Sequence, residues 1–172
     1  MPPPLFFKYD SFNYDQPLFN LEQIREVNPQ RYEMEQLSGI VYLDHESLEL
    51  VAFKEVTPHE FWVKGHMPGY PLMPGVLICE AAAQAAGFYA RKYDVLKAGD
   101  YIGFGGLDDV RFRAPICPPC RLLIGLKGRR IKPKVLAEFD FQAVVDGVLV
   151  ANGSIIGVPL NRPLTGAAPA SA

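Results

Sequence analysis

The sequence predicts an α+β fold. Two observations point to it: an early helix is followed by a second, apolar helix in the middle of the chain, and after Tyr93 only strand-like runs appear, with no regular strand–helix alternation. A third, the length of 172 residues, suits one domain that buries roughly 70% of the surface its unfolded chain exposes. The expected organisation is an N-terminal extension over residues 1–19, a domain over residues 20–160 and a flexible tail over residues 161–172, where small residues and Pro prevail.

The extension carries Phe6, Phe7, Tyr9, Phe12, Tyr14 and Phe19, too many aromatics for a solvated tail, so it should pack across the domain or a partner subunit. Between Ser47 and Thr57 apolar and charged residues partly alternate, as in a strand. Pro68, Pro71 and Pro74 then exclude a continuous helix, which places His66 on a loop. Pro74 is tolerated at a helix start, having no N–H to lose, and the run from there to about Tyr93 predicts a helix. That helix is apolar on nearly every side and must be buried, and its alanines and Gly87 let a sheet approach closely. Segments around Val110–Arg113, Arg121–Leu126, Val135–Val145 and Val148–Val158 hold branched and aromatic residues between Gly, Pro and Asp breaks, and read as strands. Asp146-Gly147 is a hairpin turn between the last two.

Glu80 is the anomaly of the central helix. An ionised carboxylate without a partner costs several kcal/mol to bury and tends to take up a proton, which can then be donated. Gln84 lies one turn later on the same face and can hydrogen-bond it, so a satisfied polar pair that orients the helix is the plain structural alternative. A lone loop histidine such as His66 says little by itself, although histidine titrates near neutrality and suits a general base.

The run Gly65-His66-Met67-Pro68-Gly69-Tyr70-Pro71, then Met73-Pro74-Gly75-Val76-Leu77-Ile78, then Glu80-Ala81-Ala82-Ala83-Gln84 resembles the signature of the beta-hydroxyacyl-acyl-carrier-protein dehydratases. Weaker echoes are Leu107-Asp108, Val110-Arg111-Phe112, Ala114-Pro115-Ile116 and Val145-Asp146-Gly147, and the likeness extends from about Leu21 to Val158. The resemblance implies a hot-dog fold, a curved antiparallel sheet around one long helix. It also implies a homodimer joined edge to edge with two shared active sites, and the family also forms trimers of dimers. Its implied activity is loss of water from a 3-hydroxyacyl thioester on acyl carrier protein, giving the trans-2-enoyl thioester in fatty-acid or related lipid or polyketide synthesis, without metal or organic cofactor. His66 would remove the C2 proton, and Glu80 of the partner subunit would protonate the departing hydroxyl. The N–H groups of Gly75 and Val76, at the positive end of the helix, would hold the thioester oxygen, with Pro74 and Gln84 supporting the site. Glu rather than Asp at position 80 resembles the dehydratase-only type, not the dehydratase/isomerases.

The chain departs from the family pattern at Pro29–Gln36, where a His normally follows the Pro, and at Ile102-Gly103 before Phe104, where an aromatic gates the acyl tunnel. Cys117-Pro118-Pro119-Cys120 replaces a Pro-Gly-Asp turn, and Asn152-Gly153 replaces an acidic residue followed by Ala. One C-x-x-C is incomplete as a zinc site, and three cysteines cannot all pair within one chain. The formal net charge of −2 gives no general drive toward nucleic acid. Locally, Lys127, Arg129, Arg130, Lys132 and Lys134, with Arg111 and Arg113, form a candidate docking surface for an acidic carrier. No signal or import pattern is visible and the apolar run is too short for a membrane span, so a cytoplasmic location is expected. Competing readings are a hot-dog thioesterase, which needs the helix carboxylate but not His66, and a non-catalytic acyl-binding subunit. An acyl-coenzyme A hydratase is disfavoured because its Asp/His dyad segment is missing.

Overall fold

The computed structural model describes residues 2–161. Its elements are β1 (Phe19–Asn20), α1 (Leu21–Val27), β2 (Gly39–Asp44), β3 (Glu49–Val56), α2 (Gly75–Lys92), β4 (Tyr101–Phe112), β5 (Cys120–Lys132), β6 (Leu136–Val145) and β7 (Val148–Leu160). The strands form one antiparallel sheet in the order β1-β2-β3-β5-β6-β7-β4, packed around α2. This is the α+β hot-dog arrangement. The expected flexible tail lies outside the described residues, apart from Asn161.

Side-chain alternation explains how one sheet carries two apolar faces. Along β3, Leu50, Ala52 and Val56 face α2 with Leu122, Ile124 and Leu126 of β5, while Val51, Phe53 and Leu123 face the opposite way. On the inner side α2 contributes Ile78, Ala81, Ala82, Ala85, Phe88 and Tyr89, all buried. The outer side is covered by the N-terminal extension, as the excess of aromatics foretold. Tyr9 is buried there, and Phe7, Phe12 and Tyr14 pack beside it. Phe7 meets Tyr9 and Tyr42 edge-on, with ring centroids 5.8 and 5.9 Å apart. Gln142 of β6 clamps this strap by accepting from the Phe6 N–H (2.8 Å) and donating to the Pro4 carbonyl (2.8 Å). Gly125 is what lets the strap lie so close, because a β-carbon there would collide with the Tyr9 hydroxyl and the Phe7 ring.

The strands run longer than the sequence pattern suggests. β4 begins at Tyr101 rather than near Val110, since Gly103, Gly105 and Gly106 dilute the strand signal while permitting close packing against Leu160 and Val158 of β7. β5 continues through the basic run to Lys132, because cross-strand partners accept the charges. Lys127 pairs with Glu49 (2.8 Å), Arg129 with Glu138 (3.2 Å) and Arg130 with Glu138 (3.0 Å). The β6–β7 hairpin turns at Asp146-Gly147, both at positive φ, in keeping with a tight turn. At the far edge of the sheet, among the described residues, β4 from Ile102 to Phe112 pairs with β7 alone. Tyr101, Phe104, Leu107 and Phe112 are exposed along it.

Candidate active site

The loop bearing His66 is anchored before it turns. Trp62 is buried, and its carbonyl accepts from the N–H groups of Gly65 (3.1 Å) and His66 (2.8 Å). Lys54, turned inward from β3, meets Glu60 at 3.2 Å in a nearly buried ion pair. A tight turn then closes between Met67 and Tyr70, with hydrogen bonds in both directions (3.0 and 2.9 Å) and Gly69 at φ +80°. Leu72 N–H donates to the His66 carbonyl (2.8 Å), and His66 Nδ1 lies 2.7 Å from the Leu72 carbonyl oxygen. A carbonyl can only accept, so Nδ1 carries a proton, and in the neutral imidazole the lone pair then lies on Nε2. The next residue, Met73, ties the loop to the β4–β5 connection through Ile116 O (2.9 Å).

Gly75 and Val76 are the first two residues of α2, with Pro74 as the N-cap. Their N–H groups precede any intrahelical acceptor, as at every helix start, and sit at the positive end of the dipole. The Phe112 ring lies over Gly75 so closely that a β-carbon there would come within 2.8 Å of it. Arg111 and Arg113 flank Phe112 and are exposed, Arg113 donating to Asn152 Oδ1 at 2.7 Å.

Glu80, one turn further along α2, is half-buried rather than fully buried as the pattern suggested. Its Oε1 accepts from Gln84 Nε2 at 2.8 Å, the pair anticipated from their spacing. Gln84 is buried and does more than orient Glu80. Its Nε2 also donates to the Met34 carbonyl (2.6 Å) and its Oε1 accepts from the Gln36 N–H (2.9 Å), which ties α2 to the segment that departs from the family pattern. The Gln84 carbonyl in turn accepts from Asn28 Nδ2 (3.0 Å). Neither Asn28 nor the Met34–Gln36 backbone was legible as part of the site, because nothing in their local pattern marks an interaction fifty residues away.

Glu80 and Gln84 line a cavity of about 190 Å³ between α2 and the β4, β6 and β7 strands. His66 is not among its lining residues, so one chain does not bring the two candidate groups together in that cavity. The basic cluster is also divided. Arg111 and Arg113 lie by the N-terminus of α2, whereas Arg129, Arg130 and Lys132 lie toward its other end, where the Lys134 N–H donates to Leu96 O beyond the helix C-terminus. Cys79 is buried, as expected. Cys117 lies beside Tyr70 of the His66 loop and pushes its phenol up, and burial pushes the Cys120 thiol up to about 11, away from thiolate reactivity. No helix of the described residues is long and apolar enough to cross a membrane.

One antiparallel sheet of seven strands packed around a long central helix defines a hot-dog domain. The chain belongs to the FabA-like domain family, which it matches over residues 28–154. Among solved structures it is similar to the dehydratase heterocomplex ApeI:P from Xenorhabdus doucetiae, with 14% identity, a TM-score of 0.68, and coverage of 81% of this chain and 91% of that one. It is also similar to an HP0420 homologue from Helicobacter felis (16% identity, TM-score 0.60, 84% and 92% coverage). A third is a phenylacetic acid degradation-related protein of Ralstonia eutropha, provisionally called a thioesterase (15% identity, TM-score 0.53, 69% and 81% coverage). At these identities the likeness shows the fold alone.

Proposed function

We propose that the protein is a 3-hydroxyacyl thioester dehydratase acting on chains carried by acyl carrier protein. The observation that carries this reading is the 2.7 Å contact from His66 Nδ1 to the Leu72 carbonyl. It leaves Nε2 as a base, a role that dehydration needs and that carboxylate-driven thioester hydrolysis does not. His66 Nε2 takes the proton from C2, and the Gly75 and Val76 N–H groups hold the thioester oxygen as enolate character develops. Protonated Glu80 donates to the departing C3 hydroxyl, with Gln84 holding its carboxyl in place. A well-placed acid–base pair contributes on the order of 10²–10⁴-fold, and an oxyanion donor about 10²–10³-fold.

Since His66 stands outside the cavity of its own chain, the base is supplied across a homodimer. The side of β4 from Ile102 to Phe112 that has no strand partner among the described residues, with its exposed Phe104, Leu107 and Phe112, suits edge-to-edge pairing with a second copy. The acidic carrier docks at Arg111 and Arg113, which flank the helix start where the thioester would lie. The family resemblance supports the same assignment, with Glu80 of the dehydratase-only type. The test follows the absorbance of a conjugated enoyl thioester during hydration, the reverse reaction, with a thiol reagent in parallel. Wild type should bleach the signal without releasing thiol, while His66→Ala and Glu80→Gln should not. Thiol release that survives His66→Ala would replace this reading with a thioesterase.

A further inference from the structure

Two half-buried thiols have no part in the proposed chemistry. Cys117 and Cys120 are free and stand at the ends of Cys117-Pro118-Pro119-Cys120, where the chain bends at both prolines before β5 begins. A four-residue turn brings its end Cα atoms within about 7 Å, and a disulfide spans about 4.4–6.8 Å between Cα atoms. Each proline fixes its own φ, so the inside of the turn is restricted before its ends are joined. Burial, the Asp146 carboxylate and then the Cys117 sulfur raise the Cys120 thiol, so the two sulfurs are near neighbours.

The two ends of the turn are held differently. Cys120 is fixed in the sheet opposite Val56 of β3 and packs against the core around α2. Cys117 lies in the connection between β4 and β5, which meets the His66 loop at two points. The Met73 N–H donates to Ile116 O (2.9 Å), and Cys117 lies beside the Tyr70 phenol. With Cys120 anchored, joining the sulfurs draws Cys117 away from Tyr70. Cys79 is buried in α2, shielded from dissolved reagents.

We propose that Cys117 and Cys120 form a redox modification site, oxidised by a low-molecular-weight disulfide to an intramolecular disulfide that loosens the His66 loop. In the first step the Cys117 thiolate attacks one sulfur of the reagent, whose S–S bond breaks and releases one thiolate. In the second, the Cys120 sulfur gives its proton to solvent, attacks the Cys117 sulfur of the mixed disulfide and expels the other thiolate. The protein loses two hydrogens and two electrons, and the reagent is reduced to two thiols. Cys120 holds its proton too firmly to meet dilute reagents, whereas the turn presents the Cys117 sulfur to it at high effective concentration.

The test treats the full-length protein with bis(2-hydroxyethyl) disulfide, a neutral reagent that the nearby Asp146 and Glu55 carboxylates do not repel. Wild type should lose two hydrogens by mass spectrometry, its free thiols in denaturant falling from three to one, with peptide mapping placing the bond between Cys117 and Cys120. Cys120→Ser should keep half of the reagent as a mixed disulfide on Cys117, and Cys117→Ser should take up none. Amide exchange over residues 66–73 should become roughly tenfold faster in oxidised wild type, the loss of about one net hydrogen bond, and recover on reduction. Melting temperatures establish folding, and if one serine variant does not fold, the other carries the comparison. Three thiols surviving the reagent, a bond that includes Cys79, or unchanged exchange in the oxidised form overturns the proposal. These readouts need no enzyme activity, so their failure and failure of the dehydratase reading are separate results.

Discussion

Replacing Gln84 by Leu keeps its volume but removes three hydrogen bonds at once, and the structure allows the cost to be worked out. The Gln36 N–H would lose its acceptor, and Gln36 is 0% exposed, so water cannot replace it. A stranded buried donor costs about 1–3 kcal/mol. Met34 is 46% exposed, so its carbonyl can turn to water and loses only a net hydrogen bond, about 0.5–1.5 kcal/mol. The bond to the half-buried Glu80 adds a similar amount, and the apolar leucine recovers part of the total. The expected loss is about 2–4 kcal/mol, against total stabilities of about 5–15 kcal/mol for natural domains. Urea unfolding should show a lower midpoint at unchanged slope. Gln84→Leu should also lower kcat, because Glu80 loses the amide that fixes it. A loss below about 0.5 kcal/mol would refute the claim that Gln84 joins α2 to the 28–36 segment.

Three further outcomes test other parts of the account. Lys54→Met strands Glu60 beside the His66 loop and should cost about 3–5 kcal/mol by urea unfolding, with activity falling as the loop loosens; a cost under 1 kcal/mol would mean that the ion pair does not hold the loop. Tyr9→Phe removes a buried hydroxyl that has no hydrogen-bond partner among the described residues and should raise the melting temperature by about 2–4 °C, whereas a fall would show that the hydroxyl is satisfied. Burial pushes the Tyr89 and Tyr14 phenols from 10.0 up to about 12. The folded protein therefore keeps protons that the unfolded chain loses, so this stability is full below about pH 10 and declines as pH rises toward about 12, a slope that Tyr89→Phe should flatten in pH-dependent unfolding.

The fold class was legible because the signals that carry it are local. Proline before Gly75, alanine spacing along α2 and Asp146-Gly147 each act within a few residues. The strand at Tyr101–Phe112 was only half visible, since its glycines serve contacts with β7 and have no pattern of their own. β2 went unread because its run Gly39–Asp44 is short and follows the irregular Pro29–Gln36 segment. In the candidate site, Glu80 and the Glu80–Gln84 pair could be picked out by residue type and spacing, whereas His66 and Gly75 were marked by the resemblance to the dehydratase signature. The partners that position them could not: Leu72 holds His66 through a backbone carbonyl, and Asn28, Met34 and Gln36 reach Gln84 through the fold. The basic cluster illustrates the converse, because residues contiguous in the sequence are largely consumed by Glu49, Glu138 and Asp140 across the sheet.

The shared-site claim is tested most directly by mixing two inactive variants. His66→Ala and Glu80→Gln, unfolded together in equal amounts and refolded, should form statistical dimers of which about half are mixed, each with one intact site, so about a quarter of wild-type hydration activity should return. Each variant refolded alone should stay inactive. Mixed dimers demonstrated by tagged co-purification but without recovered activity would contradict the account, placing both groups, or neither, in a site built by one chain.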